Sequence, residues 1–230
     1  MPQIDTVKEL LGWLYPAHCP LCGAAATDDS GLCAGCLTSL PRHPRACPRC
    51  AAPAGDGLTP CGRCQQEPPA FKAAFAAFAY RPPLDKLIVE LKFHHRLHLS
   101  RNLGLLLARE LAEQARPEVI MPIPLHASRL RERGYNQALE IAREVGRALL
   151  LPVDYTSLAR TRATVPQTEL PHADRQKNVR GAFACPKPPA WNHVALLDDV
   201  LTTGATVNEA ALTLLNVGVA RVSVWAVARA

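Results

Sequence analysis

At 230 residues the chain has room for one ordinary domain plus a small metal-stapled module. It is 48% apolar and 20% charged, which excludes a disordered polypeptide, and no apolar run approaches the roughly 20 residues of a membrane-spanning helix. Basic residues exceed acidic ones by 26 to 20, a formal charge of +6, and with aromatics at 5% the core must be built from Leu, Val, Ile and Ala.

In chain order, residues 1–18 read as a short amphipathic helix. Asp5, Lys8 and Glu9 interrupt the apolar stretch that a secretory signal needs, so a cytoplasmic location is expected. Residues 19–70 then carry eight of the nine cysteines as four CxxC pairs: Cys19/Cys22, Cys33/Cys36, Cys47/Cys50 and Cys61/Cys64, with successive pairs 14 residues apart. A CxxC turn aims two thiolates at one point, and two such turns make a tetrahedral sulfur site suited to zinc. About two zinc ions are expected, with Cys185 outside both sites. Sequential, interleaved and nested pairings all satisfy the spacing. CPLC and CPRC alternate with CAGC and CGRC, which favours the sequential choice, one two-knuckle unit used twice.

Charge divides along the chain. Residues 1–70 hold five basic against six acidic residues, whereas residues 71–230 hold 21 against 14, a balance of +7. Metal-bound cysteines are thiolates, so the first part becomes still more acidic once loaded. The basic remainder suits a phosphate-bearing partner.

Beyond residue 70, strands and helices alternate. AAFAAFAY (73–80) reads as a strand, 83–93 as a helix, and Leu99 to Leu111 as a second helix. EVIMPIP (118–124) is a short buried strand, 135–149 a helix, HVALLDDV (193–200) a buried strand, 206–217 a helix and RVSVWAVA (221–228) a last strand. That alternation predicts a parallel sheet in a layered α/β domain, with ligands bound beyond the carboxyl ends of the strands, near 122–137 and 198–206.

VALLDDVLTTGAT (194–206) is the most informative stretch. A strand delivers Asp198 and Asp199 to the sheet edge, and Thr202 to Thr206 form a glycine-containing turn that opens a helix. Such a turn offers backbone N–H groups and the positive end of the helix dipole to an anion. Thr202, Thr203 and Thr206 add hydroxyls. The carboxylates then fit sugar hydroxyls or a hydrated magnesium ion.

Residues 194–206 resemble the phosphoribosyl-pyrophosphate (PRPP) motif of type I phosphoribosyltransferases. The whole chain resembles the competence protein F family, which joins an N-terminal zinc module to a phosphoribosyltransferase-like domain. The likeness also rests on MPIPLHASRLRERGYNQA (121–138), LKFHHR (91–96) and 160–183, where Gln167, Leu170, Arg175, Asn178, Gly181 and Phe183 stand in matching places. It implies a double zinc ribbon over 19–70, then a phosphoribosyltransferase-like domain over 71–230 with helices on both faces of its parallel sheet. PRPP, or a related phosphorylated ribose, is then expected with magnesium at Asp198, Asp199, Leu201, Thr202, Thr203, Gly204, Ala205 and Thr206. Pro122, Ile123 and Pro124 would form the pyrophosphate side. Arg129, Arg131 and Arg133 follow, of which Arg131 and Arg133 are assigned to grip phosphate. Asn136, Gln137, Gln167, Arg175 and Asn178 are candidates for an acceptor pocket or for a lid formed by the 160–181 loop, with a helix cap as the alternative for Asn136 and Gln137.

The resemblance implies a role in DNA uptake during natural transformation, with single-stranded DNA and the uptake machinery as partners. An active phosphoribosyltransferase of nucleotide or base salvage is the alternative. The basic run 92–101 supplies Lys92, Arg96 and Arg101 as DNA contacts; the competing reading is a solvated helix end, with any DNA entering the PRPP groove instead. Replacing Cys47 is expected to leave the α/β part folded on its own apolar core.

Overall fold

A computed structural model describes residues 18–43, 45–163 and 178–230. The amphipathic helix expected over 1–18 (His18 apart), together with Gln167, Leu170 and Arg175, lies outside the described residues.

The cysteine-rich segment folds as the same unit twice. Cys19 N–H donates to Ala24 O and Cys47 N–H to Ala52 O, both at 2.7 Å; Gly23 N–H donates to Cys19 O and Ala51 N–H to Cys47 O, at 2.8 and 2.9 Å. The His18–Ala25 bridge recurs as Ala46–Pro53. Advancing each number by 28 carries one set onto the other. Gly23 (φ 78°) and Ala51 (φ 57°) both take the left-handed conformation, so the repeat keeps its turn even where glycine is absent. One-turn helices α1 (Ala34–Thr38) and α2 (Gly62–Gln66) close the two units, with Cys33 and Cys61 at their N-caps.

The rest is a layered α/β structure: β1 (Ala73–Ala79), α3 (Leu84–Phe93), α4 (Leu99–Leu111), β2 (Val119–Pro122), α5 (Ala127–Arg133), α6 (Gln137–Leu149), β3 (Ala159–Arg160), β4 (Phe183–Ala184), β5 (His193–Leu201), α7 (Ala205–Asn216) and β6 (Arg221–Arg229). The main sheet has the order β1-β6-β5-β2 with every pairing parallel. β3 and β4 form a separate antiparallel ribbon.

The central strands are apolar on both faces, as a parallel sheet covered by helices requires. Ala195, Leu197, Trp225 and Val227 pack under α3, α4 and α6 through Leu87, Leu91, Leu103, Leu107 and Ile141. Val194, Leu196, Val224 and Ala226 pack under α7 through Val207, Ala211 and Leu214. The expected fold class, a parallel sheet with helices on both faces behind a zinc-ribbon module, is the one observed. Gly104 sets the contact of α4 with α6: a Cβ there would lie 2.5 Å from Glu144 Cβ and 3.1 Å from Ile141 O.

Two features depart from the sequence reading. Helix α5 was not expected; His126 Nδ1 caps it by accepting from Ser128 N–H, and Gly134 (φ 82°) ends it in the left-handed region. More consequentially, the zinc-ribbon segment shares the sheet's core. Leu32 and Leu40 are buried in the cluster that holds α3, α4 and α6, and Ala51 is buried in the cluster under α7. Ala79 N–H donates to Pro41 O at 2.7 Å, and Arg42 pairs antiparallel with Phe78, so the segment also covers the open edge of β1. The α/β part therefore does not complete its apolar core alone.

Candidate functional site

Two metal centres follow directly from the repeat. The sulfurs of Cys19, Cys22, Cys33 and Cys36 lie within 4.8 Å of one another, as do those of Cys47, Cys50, Cys61 and Cys64. The pairing is sequential. Cys22 and Cys33 sulfurs are 3.5 Å apart, and Cys50 and Cys61 sulfurs 3.7 Å. A tetrahedron with zinc–sulfur bonds of about 2.3 Å has edges of about 3.8 Å, so the donor set fits zinc. Burial by itself raises the Cys19 thiol, but backbone N–H groups around it prevail and bring it down to about 6. Cys36 is pushed up to about 12, chiefly by the neighbouring Cys22. Four thiols this close cannot all ionise without a cation between them. Cys185 stands apart from both sets.

The second centre is built at the end of β5. Strand alternation puts Asp199 on the face of Ala195 and Leu197, beneath α3, and Asp198 on the face of Val194 and Leu196. Asp199 is 3% exposed, and Lys92 Nζ, from the last turn of α3, reaches its Oδ2 at 2.6 Å. Burial pushes Asp199 up, but the Lys92 ammonium overcomes this and holds the carboxyl below its ordinary range. Asp198 behaves oppositely: burial and the adjacent Asp199 charge raise it well above that range. Two neighbouring carboxyls are thus driven apart in acidity, one ionised and one inclined to hold its proton. Arg160 feels the charges of Arg129 and Asp198; burial lowers its pKa first, Arg129 adds to the lowering, and Asp198 opposes it.

The loop beyond the acid pair turns at Gly204, whose φ of 80° is left-handed. A Cβ at Gly204 meets nothing within 4 Å, so backbone conformation and not space requires glycine here. Thr203 is 8% exposed, and its Oγ1 accepts from Ala205 N–H at 3.3 Å, capping α7 from within the loop. On the β2 side, Ile123 N–H donates to Leu197 O at 2.9 Å, which ties Pro122-Ile123-Pro124 to the same sheet edge.

The remaining sequence candidates divide. Asn136 Oδ1 accepts from Ala138 N–H, and its Nδ2 donates to Ile123 O, both at 3.0 Å, so it caps α6 and ties that helix to β2. Gln137 is buried and accepts from Arg133 at 2.7 Å. Arg133 also lies over the Phe93 ring at 5.5 Å, and Arg131 is exposed. The backbone carbonyl of Asn178 accepts from Arg162 at 2.9 Å across the base of the 160–183 segment. Of the three basic residues grouped as DNA contacts, Lys92 belongs to the acid pair. Arg96 pairs with Glu90 at 2.9 Å, and Arg101 donates to Asp29 O at 3.2 Å. Lys92 is therefore not separate from the strand-end site. Its partner was hidden in the sequence, as was the nearness of Arg160 to both Asp198 and Arg129.

The protein-family model described as a double zinc ribbon domain matches residues 10–65. DNA utilization protein YhgH of Escherichia coli strain K12 is 36% identical over 217 residues, covering 92% of this chain and 83% of the relative. Competence protein F of Haemophilus influenzae is 33% identical over 210 residues, covering 87% of this chain and 91% of the relative. Among solved structures, a purine phosphoribosyltransferase from Pyrococcus horikoshii Ot3 aligns with 58% of this chain and 83% of its own, at 16% identity and a TM-score of 0.35.

Proposed function

The chain belongs to the family of DNA utilization protein YhgH and competence protein F, and from that premise we propose that it binds PRPP or a related phosphorylated ribose with magnesium and acts in DNA uptake. The observation that carries the ligand reading is the strand-end acid pair, one carboxyl neutralised by Lys92, set directly before the left-handed turn that opens α7. Loop amides and the α7 dipole receive phosphate. Thr202 and Thr206 add hydroxyl donors, and Leu201 and Ala205 bound the turn. Asp198 supplies the carboxylate for ribose hydroxyls or for a magnesium-bound water, a ligand set of oxygens that suits magnesium. Arg129 and Arg160 offset the charge of the pyrophosphate beside Pro122, Ile123 and Pro124. Arg131, Gln167, Arg175 and Asn178 keep their proposed place in the phosphate grip and lid.

No helix among the described residues is long and apolar enough to cross a membrane. We place the protein in the cytoplasm, where eight thiols stay reduced for zinc. Single-stranded DNA is the proposed polymer ligand. Phe93 is 64% exposed with the Arg133 guanidinium over its ring, which supplies a stacking face next to positive charge. The alternative of an active transferase draws nothing from Asn136 or Gln137, since both side chains are engaged in holding α6.

Titration calorimetry with PRPP and magnesium tests the ligand reading. Wild-type protein binds, and Asp198→Asn with Asp199→Asn loses most of the affinity. Equal affinities for the two proteins would remove the site.

A further inference from the structure

The loop that follows β5 is held from behind by two arginines. Arg229 Nη1 donates to Leu201 O at 3.0 Å and also to Thr202 O. Arg63 Nη2 donates to Thr203 O at 3.1 Å. Three consecutive carbonyls are therefore turned toward guanidinium groups. A peptide unit is planar and trans, so each N–H points opposite to the carbonyl that precedes it. The amides of Thr202, Thr203 and Gly204 are consequently aimed away from the arginines. Each residue left free to choose its φ and ψ loses conformational entropy when it is ordered. A loop whose peptide planes are already set does not pay that cost again when an anion arrives.

Both arginines are anchored in the second zinc centre. Arg63 lies between Cys61 and Cys64 on α2. Arg229, 9% exposed at the end of β6, donates from Nε to Cys50 O at 3.3 Å. The first zinc centre has a different neighbourhood, packing through Cys19, Leu32 and Leu40 against α3 and α4.

We infer that Arg63 and Arg229 are positioning residues that preset the 202–204 amides for phosphate, and that they make this loop depend on the second zinc site and not on the first. The inference rests on the reading of the loop as a phosphorylated-ribose site. Coupling between two sites is reciprocal: a ligand on the loop must raise the zinc affinity of the Cys47, Cys50, Cys61 and Cys64 site by the same factor.

The test uses the full chain with zinc quantified. Arg63→Ala leaves all eight thiols in place and is expected to retain both metals. Amide hydrogen exchange on the peptide spanning 201–206 should quicken in this variant, and affinity for ribose 5-phosphate should fall about tenfold or more, the loss of one charge-assisted hydrogen bond. Arg63→Lys, which keeps the charge but not the planar fork, should recover only part of the loss. In wild-type protein, ribose 5-phosphate should raise the concentration of a chromogenic chelator needed to withdraw one zinc equivalent of two at equilibrium, and Arg63→Ala should abolish that protection. Unchanged loop exchange in Arg63→Ala would overturn the clamp. Protection of both zinc equivalents, or of neither, would overturn the link to the second centre. If wild-type protein binds neither ribose 5-phosphate nor PRPP while loop exchange still quickens in the variant, the clamp stands and the ligand reading falls.

Discussion

Lys92 Nζ lies 2.6 Å from Asp199 Oδ2, which joins the basic end of α3 to the acidic end of β5 inside one site. Lys92 is partly exposed and Asp199 is not, and among the described residues Lys92 is the cation that pairs with this carboxylate. Breaking a buried pair by removing one partner costs about 3–5 kcal/mol. Lys92→Met should lose that much at pH 7 in urea unfolding. The sign with pH follows from the lowered Asp199 acidity constant. In wild-type protein its contribution is complete above the unfolded value of about 3.9 and disappears as pH falls through the folded value. In Lys92→Met the buried, unpartnered carboxyl titrates high instead, so stability should return on lowering the pH from 7 to 5. A loss below about 1 kcal/mol at pH 7 would mean that solvent screens the pair.

Asp198 makes an opposite prediction. Its folded acidity constant is raised by burial and by Asp199, so ionising it costs stability above the unfolded value, and the cost is relieved as pH falls through the folded value. Binding of magnesium with PRPP requires the carboxylate. It should therefore expel a proton, read as a binding enthalpy that varies with the ionisation enthalpy of the buffer. Asp198→Asn should bind more weakly and without that buffer dependence. An equal dependence in both proteins would assign the proton elsewhere.

Protein purified without added metal should contain about two zinc equivalents, and Cys47→Ser about one. Because Leu32 is fully buried in the core under α3 and α4, Leu32→Ala should cost about 2–5 kcal/mol of the whole chain's stability. Unfolding should be one transition by both circular dichroism and zinc release. Two well-separated transitions would show that the zinc-ribbon segment folds independently after all.

At Gly104 two effects oppose. Alanine improves helix propensity by about 1 kcal/mol. Its Cβ would meet Glu144 Cβ at 2.5 Å, an atom that cannot swing aside. Overpacking of this kind costs about 1–3 kcal/mol, so Gly104→Ala should be net destabilising in thermal unfolding. A raised Tm would show that α4 and α6 separate easily.

For DNA, Phe93→Ala should weaken binding of a labelled single-stranded oligonucleotide by about 1–3 kcal/mol, the worth of one stacked base. Arg96→Ala with Arg101→Ala should reduce the salt slope by about 0.7 for each phosphate no longer neutralised. Neither change should alter PRPP affinity, whereas Lys92→Met should. Fluorescence anisotropy across a salt series, beside calorimetry, reads both. An unchanged slope would leave Arg96 to Glu90 and Arg101 to the Asp29 carbonyl, the partners they already hold.

By itself the sequence determined whatever depends on neighbours along the chain. The eight paired cysteines at even spacing specify two sulfur centres because each CxxC turn is local. The apolar runs of β5 and β6 specify a buried parallel sheet because period and length suffice. Asp198, Asp199 and Gly204 mark a strand-end turn for the same reason. Tertiary structure alone decided which distant charges meet. Lys92 reads as surface until α3 lies across β5 and brings it to Asp199. Asn136 reads as either a substrate group or a helix cap until Ala138 N–H and Ile123 O are seen to engage its side chain. Nothing in the sequence joins Arg63, inside CGRC, to Arg229, just past the 221–228 strand reading, until the zinc-ribbon segment docks behind the 201–204 loop. Such pairings depend on packing between elements far apart in the chain, and residue spacing carries no record of that.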